Sequence, residues 1–242
     1  MNSMFEILMG LPLFRGVSRD RIAEIVGMAK FHFLKYLPDE SIVTAGVPCD
    51  HIKFIISGTV RSTIVNSDGR FKVSQTLEAP DVIAPDFLFG RATNYPCTVV
   101  AVEPAGILQI SKNDYIKILN SDQVFLFNYL NVLAMNAQKA VDGVLALTTG
   151  STEERIAFWI IALTQPTGRE ITLSCRQRDL YSFFGVQRTS FIATLEQMKS
   201  KGLIDYNQNE VRIINRRDLV SLLVAHPEAA RGVMAANDVM AE

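Results

Sequence analysis

The sequence predicts an α+β protein in three parts: an N-terminal β-roll over residues 1–120, a long dimerisation helix and hinge over 121–149, and a C-terminal winged helix-turn-helix over 150–242. Three observations predict it. Short β-rich runs separated by turn residues fill 35–111, a Pro-free helical run follows, and two helical patterns split by a glycine turn precede two short strands.

Within 35–111 the turn signals fall at Pro38-Asp39, Gly46, Ser57-Gly58, Ser67-Asp68-Gly69, Ala79-Pro80-Asp81, Pro104 and Gly106, a spacing that suits a barrel or roll. Ser67-Asp68-Gly69, between TVRSTIV and RFKVSQTL, is the best hairpin signal, because Asp and Gly tolerate the positive φ of a tight turn. Ahead of the strands, 18–28 reads as a capped helix with Ile22, Ile25 and Val26 on one face.

SKNDYIKIL, from Ser111, reads as a short helix, and Ser121 opens a helical run that lasts to about residue 148. Leu126, Leu130, Leu133, Ala137, Ala140, Val144 and Leu147 recur at alternating steps of four and three, the seam of a coiled coil. The alternative is a helix buried all round, since Phe125, Phe127, Val132 and Met135 are apolar too. Thr149-Gly150-Ser151-Thr152 ends the run, and Ser151 or Thr152 can cap STEERIAFWIIAL with Glu154 in its first turn.

The strand ITLS leads into CRQRDLYSFFGVQRTSFIATLEQMKSKGLIDY. Leu180, Phe183 and Phe184 are expected to face inward on a short helix and Phe191, Leu195 and Met198 on a longer one; Gly185-Val186-Gln187 makes the break, with Val186 plugging the gap. LIDYNQNEVRII reads as two strands of a wing around a polar turn at 207–210. An ordinary helical hairpin would show Glu/Lys pairs on its solvated face, whereas Gln187, Arg188, Thr189, Ser190, Ala193, Thr194 and Gln197 are short or hydrogen-bonding. With Arg176 and Gln177 they form the expected DNA-contact set. Arg188 suits guanine O6 and N7, Gln187 an adenine, Ala193 a thymine methyl, and Ser190 or Arg176 a phosphate.

Composition bounds these readings. With 242 residues and 48% hydrophobic content the chain can build a sizeable core. Its apolar runs are all broken short of a membrane span, and its start lacks a basic leader, so it reads as a soluble, unexported, cytoplasmic protein without a membrane partner. Cys49, Cys97 and Cys175 stand apart with no CxxC, which argues against a disulfide frame, a zinc site and a four-cysteine iron-sulfur cluster; no metal site is expected. A net charge of -1 carries no global field toward nucleic acid, so DNA binding rests on local balance. There Arg169, Arg176, Arg178, Arg188, Lys199 and Lys201 face Glu170, Asp179 and Glu196. No Ser-His-Asp grouping and no Gly-rich phosphate loop appears, and three scattered histidines are a thin base for catalysis, so no enzyme is expected.

A β-roll, a long helix and a winged helix-turn-helix in that order resemble the cyclic-AMP receptor protein and fumarate-nitrate regulator (Crp/Fnr) family across nearly the whole chain. The carrying residues are Leu13-Phe14, Gly58 in HIKFIISGTV, DVIAPDFLFGRATNYPCTVVAVEPAGILQIS and RQRDLYSFFGVQRTSF. The resemblance implies a cyclic-nucleotide-binding-like double-stranded jelly roll that senses a small signal. It also implies a homodimer on double-stranded DNA with an inverted-repeat operator, RNA polymerase as a partner where the regulator activates, and base-reading positions at Arg188 and Thr189.

Departures narrow it. Family members that bind cyclic nucleotides carry Gly-Glu and Arg-Ser pairs where this chain has Ala84-Pro85 and Tyr95-Pro96, which removes the guanidinium fork for the phosphate and argues against cyclic AMP. Thr189 and Ala193 replace the family's common Glu and Arg, so familiar operators do not carry over. Phe87, Phe89, Tyr95 and Val99, with Phe127 and Met135, form an apolar effector cassette similar to that of HcpR-type stress sensors that bind haem. Haem stays open as a cofactor, with His32, His51 and Met135 as candidate axial ligands, beside a filled core with no ligand. A second class of function also stays open: a small-molecule-binding module acting through protein contacts without DNA.

Overall fold

The computed structural model describes residues 4–146 and 150–224. Helices α1 (Met4–Gly10) and α2 (Arg19–Met28) precede strands β1 (Phe31–Tyr36), β2 (Ser41–Val43), β3 (His51–Ser57), β4 (Thr59–Val65), β5 (Lys72–Glu78), β6 (Asp81–Ile83), β7 (Thr98–Ala101) and β8 (Ala105–Ser111). Helices α3 (Lys112–Ser121), α4 (Gln123–Ala146) and α5 (Thr152–Leu163) follow, then β9 (Arg169–Ser174), α6 (Gln177–Phe184), α7 (Arg188–Ser200), β10 (Ile204–Tyr206), β11 (Glu210–Ile213) and α8 (Arg216–Val224). The β region thus begins at Phe31, before the expected residue 35. Strand β1 is long because all six of its residues pair with β8, from Phe31 opposite Ile110 to Tyr36 opposite Ala105.

Two compact units divide the chain. The first holds the chain up to Ser62 with Leu77–Asn136; the second holds Thr63–Thr76 with the chain from Ala137 onward.

In the first unit an antiparallel sheet runs in the order β1-β8-β3-β6, and β2 pairs with β7. Gly58 turns β3 into β4 at φ +80°; a Cβ there would stand 2.5 Å from the Pro104 carbonyl oxygen, so no other residue fits the turn. The core is aromatic. Phe14 sits edge-on to Phe125 at 4.8 Å and to Phe54 at 5.9 Å, and Tyr115 sits edge-on to Tyr129 at 5.4 Å, the offset geometry that ring quadrupoles prefer. Ile22 and Ile25 of α2 are fully buried too, and the Ser18 hydroxyl caps α2 by accepting the Arg21 N–H at 3.3 Å. Ser111 caps α3 in the same way. Ser121 closes α3 rather than opening α4: the chain extends at Asp122, whose carboxylate accepts the Phe125 N–H at 2.8 Å and caps α4.

In the second unit β9 is paired on both sides. Leu173 stands opposite Val211 of β11 and, across the other edge, opposite Val73 of β5. The hairpin β4–β5 therefore lends its tip to this sheet. The turn forms as expected, with Gly69 at φ +71° and the Asn66 N–H donating to the Phe71 carbonyl at 3.0 Å. Ile160, Leu180, Phe184, Phe191, Leu195 and Met198 fill the core, each burial worth roughly 1.5–3 kcal/mol. Ser151 and Glu154 form a reciprocal capping box at α5, with Glu154 N–H to the Ser151 hydroxyl at 3.2 Å and Ser151 N–H to the Glu154 carboxylate at 2.7 Å. Phe183, expected inside, is 55% exposed: Leu180 and Phe184, one turn apart, take the inward stripe of this eight-residue helix.

Candidate nucleic-acid interface

Helices α6 and α7 meet at Gly185, which adopts the left-handed conformation at φ +64°, as a tight helix-to-helix turn requires. Val186 packs against the core at that turn. Phe184 at the end of α6 stacks on Phe191 of α7 at 6.1 Å, and the Arg155 guanidinium of α5 donates to the Phe184 carbonyl at 2.7 Å while lying over its ring. The angle between the two helices is thus fixed from three elements.

The N-terminus of α7 faces solvent. Gln187, Arg188, Thr189 and Ser190 are exposed in its first turn, Ala193 and Gln197 are exposed beyond it, and Thr194 is half-buried with its hydroxyl donating to the Ser190 carbonyl at 3.0 Å. Free N–H groups and the helix dipole make such an end attractive to phosphate. Arg188 makes no ion pair among the described residues.

At α6 the roles divide. Arg176 is exposed and lies 2.9 Å from Asp179. Gln177 is half-buried and holds the wing, its amide donating to the Asn207 carbonyl at 3.0 Å, while its own N–H donates to the Gln208 carbonyl at 3.1 Å. Strands β10 and β11 form the wing as expected, with Asp205 opposite Arg212. Two expected contributors to the basic patch are engaged elsewhere: Lys199 pairs with Asp205 at 2.8 Å and Lys201 with Glu153 at 2.8 Å, both acids lying outside the stretch whose charges were balanced. Arg178 was not in the expected contact set, yet it is exposed in the first turn of α6 and free of ion pairs among the described residues. Its place two residues past Arg176, at a helix start, was the signal.

Residues 33–122 match the family described as cyclic nucleotide-binding domain, and residues 154–222 match the Crp-like helix-turn-helix domain. The chain belongs to the Crp/Fnr family of DNA-binding transcription regulators. Within this family it is 21% identical over 179 residues to the anaerobic regulatory protein of Bacillus subtilis, covering 72% of this chain and 75% of that one. It is 23% identical over 187 residues to the cAMP-activated global transcriptional regulator Vfr of Pseudomonas aeruginosa, covering 73% and 86%. Among solved structures, the Thermus thermophilus catabolite activator protein shares the fold with a TM-score of 0.52 at 18% identity, over 91% of this chain and 99% of that one. A Crp/Fnr chain is a regulator and not an enzyme. Among the described residues no helix is long and apolar enough to cross a membrane.

The sensor cassette departs from a nucleotide site in its own geometry. Ala84 adopts a left-handed φ of 43°, and Pro85 follows as the start of a short 3-10 turn; its carbonyl accepts the Tyr129 hydroxyl at 2.9 Å. Tyr95 is buried and its hydroxyl donates to the His51 carbonyl at 2.9 Å. Burial and the neighbouring Cys49 raise the Tyr95 phenol far above its usual range, so it stays neutral. A cyclic nucleotide finds at these positions neither a guanidinium for its phosphate nor a carboxylate for its ribose hydroxyl, and the residues do not fit that group. Val99 is buried as well, Phe87 and Phe89 are half-buried, Met135 is half-buried on α4, and Phe127 is 60% exposed. Phe89 meets Tyr129 edge-on at 5.9 Å and carries the Lys112 ammonium over its ring at 5.0 Å. Of the expected cassette residues Phe89 thus packs on an aromatic ring, Tyr95 and Val99 are buried, and Phe127 faces solvent.

Helix α4 is not buried all round. Leu130 and Val144 are exposed, as are Ala137 and Ala140, while Leu126 and Leu133 are half-buried; Leu147 lies outside the described residues, as does the Ala-rich stretch after 224. Phe127, Val141 and Leu145 join the exposed apolar stripe, which the sequence seam did not include.

Proposed function

We propose that this regulator acts as a homodimer in the cytoplasm, joined along the exposed apolar stripe of α4, and reads an inverted-repeat operator with the N-terminus of α7. An apolar stripe this long is costly in a monomer, and a two-fold partner supplies the same stripe. Two α7 helices about 34–36 Å apart enter successive major grooves of one DNA face. Arg188 carries the reading, because it is exposed, unpaired and placed at the helix end that meets base edges. Gln187, Thr189, Ser190, Ala193, Thr194 and Gln197 complete the contact face, with Arg176 and Arg178 on phosphates and Gln177 holding the wing.

The β-roll senses a small signal other than cyclic AMP, supported by the Ala84-Pro85 and Tyr95-Pro96 pairs and by the engaged Tyr95 hydroxyl. For haem, His51 is the candidate ligand whose backbone meets the cassette, its carbonyl accepting the Tyr95 hydroxyl at 2.9 Å; burial, then Lys53, lowers its pKa, which favours the neutral imidazole whose lone pair iron takes. Haem-reconstituted protein whose Soret band is the same in His51→Ala removes His51 from that role. RNA polymerase is the further partner where binding activates.

Fluorescence anisotropy on the chain's own promoter region at several salt concentrations tests the DNA reading. Released counterions predict a steep, linear fall of log affinity with log salt. A folded dimer that binds no duplex at low salt contradicts it.

A further inference from the structure

A cavity of about 500 Å3 opens in the second unit, between the turn of the β4–β5 hairpin and helix α6, beside the Trp159 indole. Pockets that hold drug-sized molecules run from about 300 to 1,000 Å3. Three rings line this one. Phe71 from the hairpin lies 4.9 Å from Trp159, and Phe183 from α6 lies 5.3 Å from it. Phe183 leaves more than half its surface in water although it adjoins the core, so an occupant recovers apolar burial that the chain alone does not make.

Charge selects among flat molecules. Asp68 and Asp179 border the cavity against a single lining cation, Arg70. Asp68 lies 3.0 Å from Arg70 and Asp179 lies 2.9 Å from Arg176, which is not part of the lining. Exposed pairs of this kind are weak, and each carboxylate keeps acceptor capacity for a further donor. Ring faces carry the negative end of the quadrupole and attract cations as well.

We propose that this cavity is a ligand site for a planar aromatic cation. The ligand stacks along Trp159 and Phe183 and turns its charge toward Asp68 and Asp179, and the same carboxylates disfavour a phosphate-bearing or carboxylate ligand. The wall is divided between the hairpin, which gives Asp68, Arg70 and Phe71, and the helices, which give Trp159, Asp179 and Phe183. An occupant therefore clasps the hairpin tip to the helices of the same unit, which also carries α7. The site is separate from the β-roll cassette, and its existence does not depend on what that cassette senses.

Trp159 is the only tryptophan of the sequence, so its emission reports on this cavity. Full-length protein is titrated with proflavine, a planar cation, and with acridine-9-carboxylate, an anion of similar size, and stoichiometry is read by equilibrium dialysis. Proflavine should quench saturably with one site per chain, and the anion should bind about tenfold or more weakly. Phe183→Ala, which removes an exposed side chain and so spares the fold, and Asp179→Asn should each weaken proflavine about tenfold. No saturable quenching, equal affinity for the anion, or unchanged affinity in both variants overturns the proposal.

Discussion

The Phe71 ring lies 4.9 Å from the Trp159 indole at an interplanar angle of 43°, two residues from the point where Val73 takes its place opposite Leu173. A hairpin tip thus completes the sheet of the winged helix-turn-helix. Gln75 adds a third tie, accepting the Gln165 N–H at 2.9 Å. Phe71→Ala should lower the stability of this unit by about 1–3 kcal/mol, a partly buried ring and one aromatic pair. Urea unfolding followed at Trp159 measures it, and an unchanged midpoint contradicts the packing.

Arg188→Ala should weaken binding to the preferred operator by about 1–3 kcal/mol and relax preference at one base position in each half-site. Arg178→Ala should weaken all sequences alike and reduce the salt slope by about one per half-site. Anisotropy with a matched and a scrambled duplex separates the two, and the thermal midpoint should stay where it is in both variants, since both side chains are exposed.

Ser151→Ala should destabilise the second unit by about 1 kcal/mol through loss of the α5 cap. Glu154→Ala should do the same to a smaller extent. Thermal unfolding of the two single variants and the double variant gives their coupling. Additive losses would mean that the two halves of the box act independently.

Val141→Asp, on the exposed stripe of α4, should convert the dimer to a monomer and abolish operator binding without loss of helix content. Sedimentation velocity reads the first and anisotropy the second. A dimer that persists places the interface elsewhere.

His51 predicts a pH dependence. Burial, then Lys53, lowers its folded pKa below 6.5. A group whose protonated form is disfavoured in the folded state makes the unfolded chain bind more protons in that window, so stability falls as pH drops through 6.5 toward the folded pKa. His51→Gln should flatten the unfolding midpoint against pH over that range, and an unaltered profile removes His51 as the cause.

Local features were legible in the sequence. Ser18 and Ser151 cap helices within three residues, Gly69 and Gly185 set turns by their own φ, and the stripes Phe191-Leu195-Met198 and Ile22-Ile25 bury one face of a helix. What was missed depends on partners far along the chain. The engagement of Lys201 needs Glu153, 48 residues away, and the pairing of β5 with β9 joins Val73 to Leu173, a non-local ladder that no periodicity announces. Phe183 was misplaced for the same reason, because its outward position follows from Trp159 beside it and from the narrow stripe that Leu180 and Phe184 fill. Helix α8 was not among the expected elements, since its apolar stripe of Leu219, Val220 and Leu223 spans only two turns.

Selection of binding sites from a random duplex pool, run in parallel on the wild type and Arg188→Ala, tests most directly whether a dimer reads DNA through α7. The wild type should enrich an inverted repeat with half-sites centred about 10 bp or a multiple of it apart, and Arg188→Ala should keep that symmetry while losing preference at one position per half-site. An enriched site without two-fold symmetry, or identical motifs from the two proteins, would contradict it.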